Sequence, residues 1–325
     1  MTRAARPKVS VVIPAFNVAR FIGECLASVL AQTLPDWECI VVDDGSTDAT
    51  AQRVRERDDP RIRLISQPNR GVSAARNAGL SSAGGAYVLF LDGDDLLHPS
   101  ALQRLSGELD AHPEAVGAYG IMWSVFEDGR PYPQKSLRLR ARHFASGDLL
   151  ERMIRENFLL VGTTLVRRAP ASELGGFRPD LRLGEDWEFW CRLAARGALR
   201  FAGAEPEVSY LRMRTGSASR RLSPEWKNHL PTIQAVMSNP VLAARFDVAA
   251  WRRLRRQVLA YHLWESGRVN FTVRRFAEAR RLMLRSFAQD ITARRLALFL
   301  LAQASQLVGV ALAPRLRFLD EDARP

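Results

Sequence analysis

Cysteine is scarce in this chain: Cys25, Cys39 and Cys191 are the only three in 325 residues, and they lie far apart. No Cys-x-x-Cys pair is present, so neither a thiolate zinc site nor a dithiol redox centre is indicated. Cys25 falls in a helical pattern and Cys39 in a strand pattern, and both read as small core residues. A reducing cytosol is the simplest compartment for such a chain. Residues 1–8 carry charge without an apolar core, so no signal peptide is expected. Long uncharged stretches are nearly absent as well. The exception is Leu296 to Ala313, which has no charged residue and is bracketed by Arg294-Arg295 and Arg315 with Arg317. That run is at the lower limit for crossing a bilayer, and Gln303, Ser305 and Gln306 weaken the case. A core helix, an interfacial helix with basic flanks and a true span all stay open for it, in that order.

Charge of one sign dominates what is present. The formal net charge is +12, almost all from arginine. Such a surface suits nucleic acid, anionic lipid or phosphorylated substrates, or is simply a set of solvated helix faces. The arginines are not interleaved with aromatics in a recognisable module, so no nucleic-acid partner is expected. Hydrophobic residues make up 47%, which fits a globular protein of one large domain, or a domain with an appendage.

Periodicity supplies the architecture. Val9 to Pro14, Trp37 to Val42, Ile62 to Ile65 and Ala86 to Leu91 read as buried strands. Phe21 to Ala31, a segment capped by Thr47 or Asp48 and running to Asp58, and Gly71 to Ala83 read as the helices between them. This alternation predicts an α/β fold with a doubly wound, mixed and mainly parallel sheet. Further along, residues 100–112 read as a helix and Ala115 to Phe126 as one or two strands. A loop or lid is expected over residues 129–148, a strand over Phe158 to Val166 and a helix from Glu185 to Arg196. Residues 198–212 return to strand character, and after about 222 the chain turns arginine-rich and helical, with Trp251 to Ser266 and Val273 to Ala288 as clear segments.

Ligands of open α/β sheets bind at the carboxyl ends of the strands. Pro14-Ala15-Phe16-Asn17, Asp43-Asp44-Gly45 and Asp92-Gly93-Asp94-Asp95 all fall there. Three carboxylates at the exit of an apolar strand repel one another and lose hydration. A hard divalent cation offsets that cost, because carboxylate and phosphate oxygens suit Mg²⁺ or Mn²⁺. The plainer alternative is a polar turn before a helix starting near Leu96 to Ser100, since Asp and Gly are ordinary turn residues.

Taken in order, five segments resemble family 2 glycosyltransferases. They are Val9 to Asn17, Val41 to Asp48, Asn69 to Gly79, Phe90 to Asp95 and Glu185-Asp186-Trp187-Glu188-Phe189-Trp190. No one of them decides the matter; their order does, over roughly residues 8–215. The resemblance implies an A-type (nucleotide-diphospho-sugar transferase) fold with a nucleoside-diphosphate sugar donor, a UDP-sugar being the first choice. It also implies a divalent metal, Mg²⁺ or Mn²⁺, and inversion at the anomeric carbon. It places Phe16, or the backbone of Pro14-Ala15 and Asn17, against the base, and Asp44 on the base or ribose. Asn69 and Arg76 would lie near the nucleotide and its phosphates. Asp92 and Asp94 would form the Asp-x-Asp element, with Asp94 the direct metal ligand, and Asp95 would orient the donor sugar or support the metal. Asp186, with Glu185 close behind, would be the base. One departure stands out: where relatives often carry histidine, this chain has Tyr210-Leu211-Arg212-Met213-Arg214-Thr215-Gly216-Ser217. A histidine ligand is therefore not carried over, and Arg214 either touches diphosphate or belongs to a basic loop. His98 reads as a helix-start residue.

The expected organisation is a catalytic domain over residues 1–220 and a basic helical region over 221–325 that contacts a membrane or a partner. The expected function is inverting sugar transfer to a glycan or lipid-linked acceptor in envelope polysaccharide or glycolipid synthesis. Its place would be the cytoplasm, with peripheral contact at the inner face of the membrane. The rival is a non-catalytic, nucleotide-sugar-binding or partner-binding protein of the same shape. Loss of the acidic motif would favour that rival, and the motif is intact.

Overall fold

In the computed structural model, residues 6–131, 144–214, 222, 224–292, 296–297 and 299–300 are described. The chain divides into two compact units. One holds the residues up to Arg214 apart from Ile154–Glu156, and the other holds those three and the chain after Arg214.

The first unit alternates strand and helix: β1 (Val9–Ala15), α1 (Ile22–Leu30), β2 (Trp37–Asp43), α2 (Thr50–Arg55), β3 (Ile62–Ser66), α3 (Val72–Ser82), β4 (Tyr87–Phe90), β5 (Leu96–Leu97) and α4 (Ala101–Ala111). It continues with β6 (Ala115–Tyr119), β7 (Met122–Phe126), α5 (Leu150–Arg155), β8 (Thr164–Arg167), α6 (Arg168–Glu173), α7 (Glu185–Ala194), β9 (Ala198–Phe201) and β10 (Ser209–Met213). The main sheet runs β3-β2-β1-β4-β8-β6-β9, and a small sheet runs β5-β10-β7. β1 lies parallel between β2 and β4, while β8 runs antiparallel to both neighbours. The sheet is thus mixed and mainly parallel, as the alternation predicts.

Its central strands are buried, β1, β4 and β6 wholly so, while the edge strands β3 and β9 are partly open. Helix α1 buries Ile22, Cys25, Leu26 and Val29, the i, i+3, i+4, i+7 stripe of a core-facing helix. Helix α3 lies close enough on β1 that a Cβ at Gly79 would sit 2.2 Å from the Val12 side chain. All three cysteines are free and buried.

Two expected elements differ. The chain after the acidic motif does not enter a helix at once. Leu96–Leu97 first pairs antiparallel with Tyr210–Ser209, and α4 begins at Ala101. His98 prepares that start, its Nδ1 lying 2.9 Å from Ser100 Oγ. The strand expected from Phe158 is shorter, because Gly162 takes φ +88° and Thr163 turns back on Leu160 O; only Thr164–Arg167 pairs. Two short helices, α5 and α6, have no periodic signature in the sequence.

The second unit is helical: α8 (Leu230–Met237), α9 (Pro240–Ala243), α10 (Val248–Thr272) and α11 (Phe276–Gln289). No described helix is long and apolar enough to cross a membrane. Most of the uncharged run from Leu296, and the residues 132–143 of the expected lid, lie outside the described residues.

Candidate functional site

Each strand of the parallel core ends in a polar turn, and the turns are tied to one another. Asp44 N–H donates to Ala15 O (2.8 Å), which joins the exits of β1 and β2. Asn17 adopts φ +52°, accepts from Thr47 N–H (2.8 Å) and donates its own N–H to Ser46 Oγ (3.0 Å). Pro14 and Ala15 are buried, whereas Phe16 is 47% exposed, a large apolar ring left open at a strand exit. The Asp44 carboxylate is buried and fully engaged, accepting from Gln67 Nε2 (2.7 Å), Arg70 N–H (2.9 Å) and Gly71 N–H (2.8 Å). It therefore shapes the loop that carries Asn69 and the start of α3. Gly45 allows that loop to approach: its φ is +76°, and a Cβ would meet Asn69 N at 2.8 Å. Asn69 itself is exposed.

The acidic motif follows β4. Asp92 remains partly open, with 39% of its side chain exposed, and accepts from Arg76 Nη2 at 2.8 Å. The other arm of the same guanidinium reaches Glu185 Oε1 at 2.9 Å. Arg76, on α3, is buried and also lies over the Phe177 ring. Burial alone would lower its pKa; the charges of Asp92 and Glu185 outweigh that and raise it. One cation thus joins two motifs that are 93 positions apart (185 less 92) in the sequence.

Asp94 faces Arg214, whose Nε lies 2.5 Å from Asp94 Oδ2. Burial, then the charge of Asp92, pushes the Asp94 carboxyl above the usual range, with Arg214 offsetting only part. Asp95 is buried and accepts from Arg212 N–H (2.9 Å). Burial and the neighbouring Asp94 and Asp92 push it well up. Arg212 has no exposed side-chain surface. It donates to Asp94 O (3.0 Å) and Glu127 O (2.5 Å) and pairs with Glu24 Oε2 (2.6 Å).

Glu185 and Asp186 open α7 and differ in commitment. Glu185 is held by Arg76, and burial with the charge of Asp186 raises its pKa. Asp186 accepts from Trp187 N–H (2.8 Å) and, weakly, from Asn157 Nδ2 (3.3 Å). Trp187 anchors the turn by donating its ring N–H to Met153 O (2.7 Å). In the loop before α7, Phe177 packs beneath, clamped by Asn77, which donates to Phe177 O and accepts from its N–H.

Among the described residues no group of three or more His, Cys, Asp or Glu side chains converges on one point. Asp92 and Asp94 are therefore an incomplete donor set. They fit a hard cation that takes its remaining oxygens from a diphosphate and water.

The structure gathers Pro14 to Asn17, Asp44 and Asn69 at neighbouring strand exits, and links Arg76, Asp92 and Glu185 directly. Sequence reasoning did not single out Arg212, Glu24 or Asn157. Arg212 lies on a strand, where an arginine ordinarily points to solvent, and nothing in its local pattern signals burial. A shallow hollow beside α1 and α2, lined by Arg20, Arg53 and Arg57, includes Glu24, the partner of Arg212, but none of the strand-exit residues.

Residues 10–175 match the family model described as glycosyl transferase family 2. The succinoglycan biosynthesis protein ExoO of Rhizobium meliloti (strain 1021) is 34% identical over 226 residues, covering 66% of this chain and 64% of its own length. The glycosyltransferase EpsJ of Bacillus subtilis (strain 168) is 44% identical over 128 residues, covering 39% of this chain and only 37% of its own length. Among solved structures, S. aureus TarS 1–349 in complex with UDP-GlcNAc has a TM-score of 0.65 at 22% identity, covering 96% of this chain and 90% of that one. The mannosyltransferase PcManGT of Pyrobaculum calidifontis, in complex with GDP-Man and Mn²⁺, has a TM-score of 0.61 at 19% identity, covering 98% and 85%. At such identities the likeness is one of fold.

Proposed function

Because the chain belongs to glycosyl transferase family 2 and has the A-type fold, we propose that it transfers a sugar, with inversion, from a nucleoside diphosphate to an acceptor hydroxyl. The observation that carries this reading is the Arg76 bridge, which holds the Asp92 carboxylate beside the Glu185-Asp186 turn. That bridge supports a reading in which the charge-handling and proton-handling groups of an inverting displacement act side by side.

Each residue then has a task. The exposed Phe16 ring offers a face for the base, and the loop shaped by Asp44 presents Asn69 to the nucleotide. A divalent cation, Mg²⁺ or Mn²⁺, held by Asp94 and Asp92 would supply positive charge against the leaving diphosphate. Arg76 fixes Asp92 for that task and adds its own charge nearby, while Asp95 braces the turn beneath the donor sugar. Asp186 is the better base, since Glu185 is already spent on Arg76. Its carboxylate takes the acceptor proton as the hydroxyl oxygen bonds to the anomeric carbon, and the diphosphate leaves with the bonding electrons.

The UDP-GlcNAc and GDP-Man/Mn²⁺ complexes of the structural neighbours support a metal-assisted nucleotide-sugar donor, with a UDP-sugar tried first. The name of ExoO supports an acceptor in polysaccharide synthesis. A glycan or lipid-linked acceptor at the inner face of a membrane fits the basic chain.

The test is a screen of UDP-, GDP- and dTDP-sugars with Mn²⁺ or Mg²⁺, read by nucleoside-diphosphate release and by thermal stabilisation. Turnover with one donor supports the reading; stabilisation without turnover on any acceptor would leave a binding protein only. Asp186→Asn is expected to keep nucleotide binding and lose transfer. Near-normal turnover in that variant would sink the base assignment.

A further inference from the structure

From Val248 to Gln289 the chain carries ten arginines, no lysine and two glutamates, so these residues alone hold +8 of the formal +12. They form the hairpin of α10 and α11, closed by Ser286 Oγ donating to Ala260 O (2.7 Å) and by Trp264 against Phe287. Helix α11 turns Ala279, Leu282, Met283 and Ser286 inward. Its outer stripe is Phe276, Arg280 and Leu284 at four-residue spacing, flanked by Arg281 and Arg285. Phe276 is 41% and Leu284 46% exposed, and Ile291 beyond them 65%. A solvated face has no use for large apolar residues at that spacing.

The charges are also unbalanced. Arg268, Arg275 and Arg281 pair with Glu265, Glu225 and Glu278. Arg252, Arg253, Arg255 and Arg256 crowd into little more than one turn of α10, are exposed, and have no carboxylate partner among the described residues; Arg274 and Arg280 likewise. Like charges at three- and four-residue spacing oppose the helix. A dense anionic surface would relieve that opposition.

We propose that the α10–α11 hairpin is a docking surface for an anionic lipid bilayer, with the arginines on the headgroups and Leu284, Phe276 and Ile291 at the acyl boundary. Interleaved basic and large apolar residues on one helix are the pattern of an interfacial helix. A nucleic acid would satisfy the arginines but not the aliphatic side chains, which neither stack on bases nor hydrogen-bond to them. The proposal is independent of the sugar-transfer reading.

The test is co-sedimentation of the full chain with phosphatidylcholine vesicles with and without phosphatidylglycerol. Binding is expected only with phosphatidylglycerol and should weaken as salt is added. Replacing Arg252, Arg253, Arg255 and Arg256 together by serine should lower partitioning on the order of a thousandfold. The corresponding four lysines should restore it, and Leu284→Ser should lower it about tenfold. Circular dichroism and thermal unfolding check that each variant is folded. Three results would overturn the proposal: no binding to phosphatidylglycerol vesicles, equal binding of the serine variant, or a Leu284→Ser variant that binds like the parent. Binding of the four arginines to RNA with no vesicle binding would overturn it too and assign the face to nucleic acid.

Discussion

Replacing Arg76 by methionine removes the cation that bridges Asp92 and Glu185. Its guanidinium is 3% exposed and donates at 2.8 and 2.9 Å to the two carboxylates. Deleting one partner of a buried pair costs about 3–5 kcal/mol, because the remaining charge stays buried without compensation. Glu185 is 14% exposed and would bear that cost, while Asp92, at 39%, recovers part of its hydration. The lower end, about 3 kcal/mol, is therefore the expectation. Domains of roughly 150–250 residues lose about 2–4 °C of Tm per kcal/mol, so unfolding should fall by about 6–12 °C. Arg76→Lys keeps the charge but offers a single ammonium where two arms are in use, and should lose about half as much. The assay is thermal unfolding followed by circular dichroism, repeated across pH as a second readout. Glu185 is already raised by burial and by Asp186, with Arg76 opposing both. Without that opposition its carboxyl rises further, so the stability lost by the variant should shrink at low pH, where Glu185 takes up a proton. Unfolding and a pH profile indistinguishable from the parent in Arg76→Met would refute the reasoning.

Three further outcomes are expected. Asp44→Ala strips an acceptor from two backbone N–H groups and Gln67, and should lower stability by about 3 kcal/mol, read by urea unfolding; loss of nucleotide binding with unchanged stability would mean that the carboxylate serves the ligand alone. Gly79→Ala, which in an open helix gains up to about 1 kcal/mol, should here lose about 1–3 kcal/mol, because its Cβ would lie 2.2 Å from Val12; a more stable variant would contradict the close packing of α3 on β1. Burial would raise Glu38, but Gly84 N–H, Ser10 Oγ and Arg63 hold its carboxyl below the usual range. A depressed folded pKa adds stability above the unfolded value and loses it as pH falls through the folded one. Glu38→Gln should therefore flatten the loss of stability below about pH 4.5, and an unchanged acid-unfolding curve would argue against it.

The parallel core was legible because each buried strand is a short β-branched run and each covering helix repeats its apolar residues at three and four. Val11 and Ile22 are buried as that pattern demands. The strand exits were legible for the same reason: polar residues must begin where the apolar run stops. The short strand Leu96–Leu97 was not, since a two-residue pairing has no period and is decided by where β10 passes. Gly162 ended the expected Phe158 strand early through a backbone dihedral that composition does not announce.

By itself the sequence determined the order of the strand exits, the acidic residues that stand on them and the family they belong to, because these depend on local pattern. Only the tertiary structure decided who compensates whom. Arg76 reaches both Asp92 and Glu185, Arg214 reaches Asp94, and Arg212 is buried against the backbone of Asp94 and Glu127. Coulomb interactions and hydrogen bonds act over a few ångströms of space and take no account of sequence separation. Such pairings exist only once the sheet has brought its strand ends together.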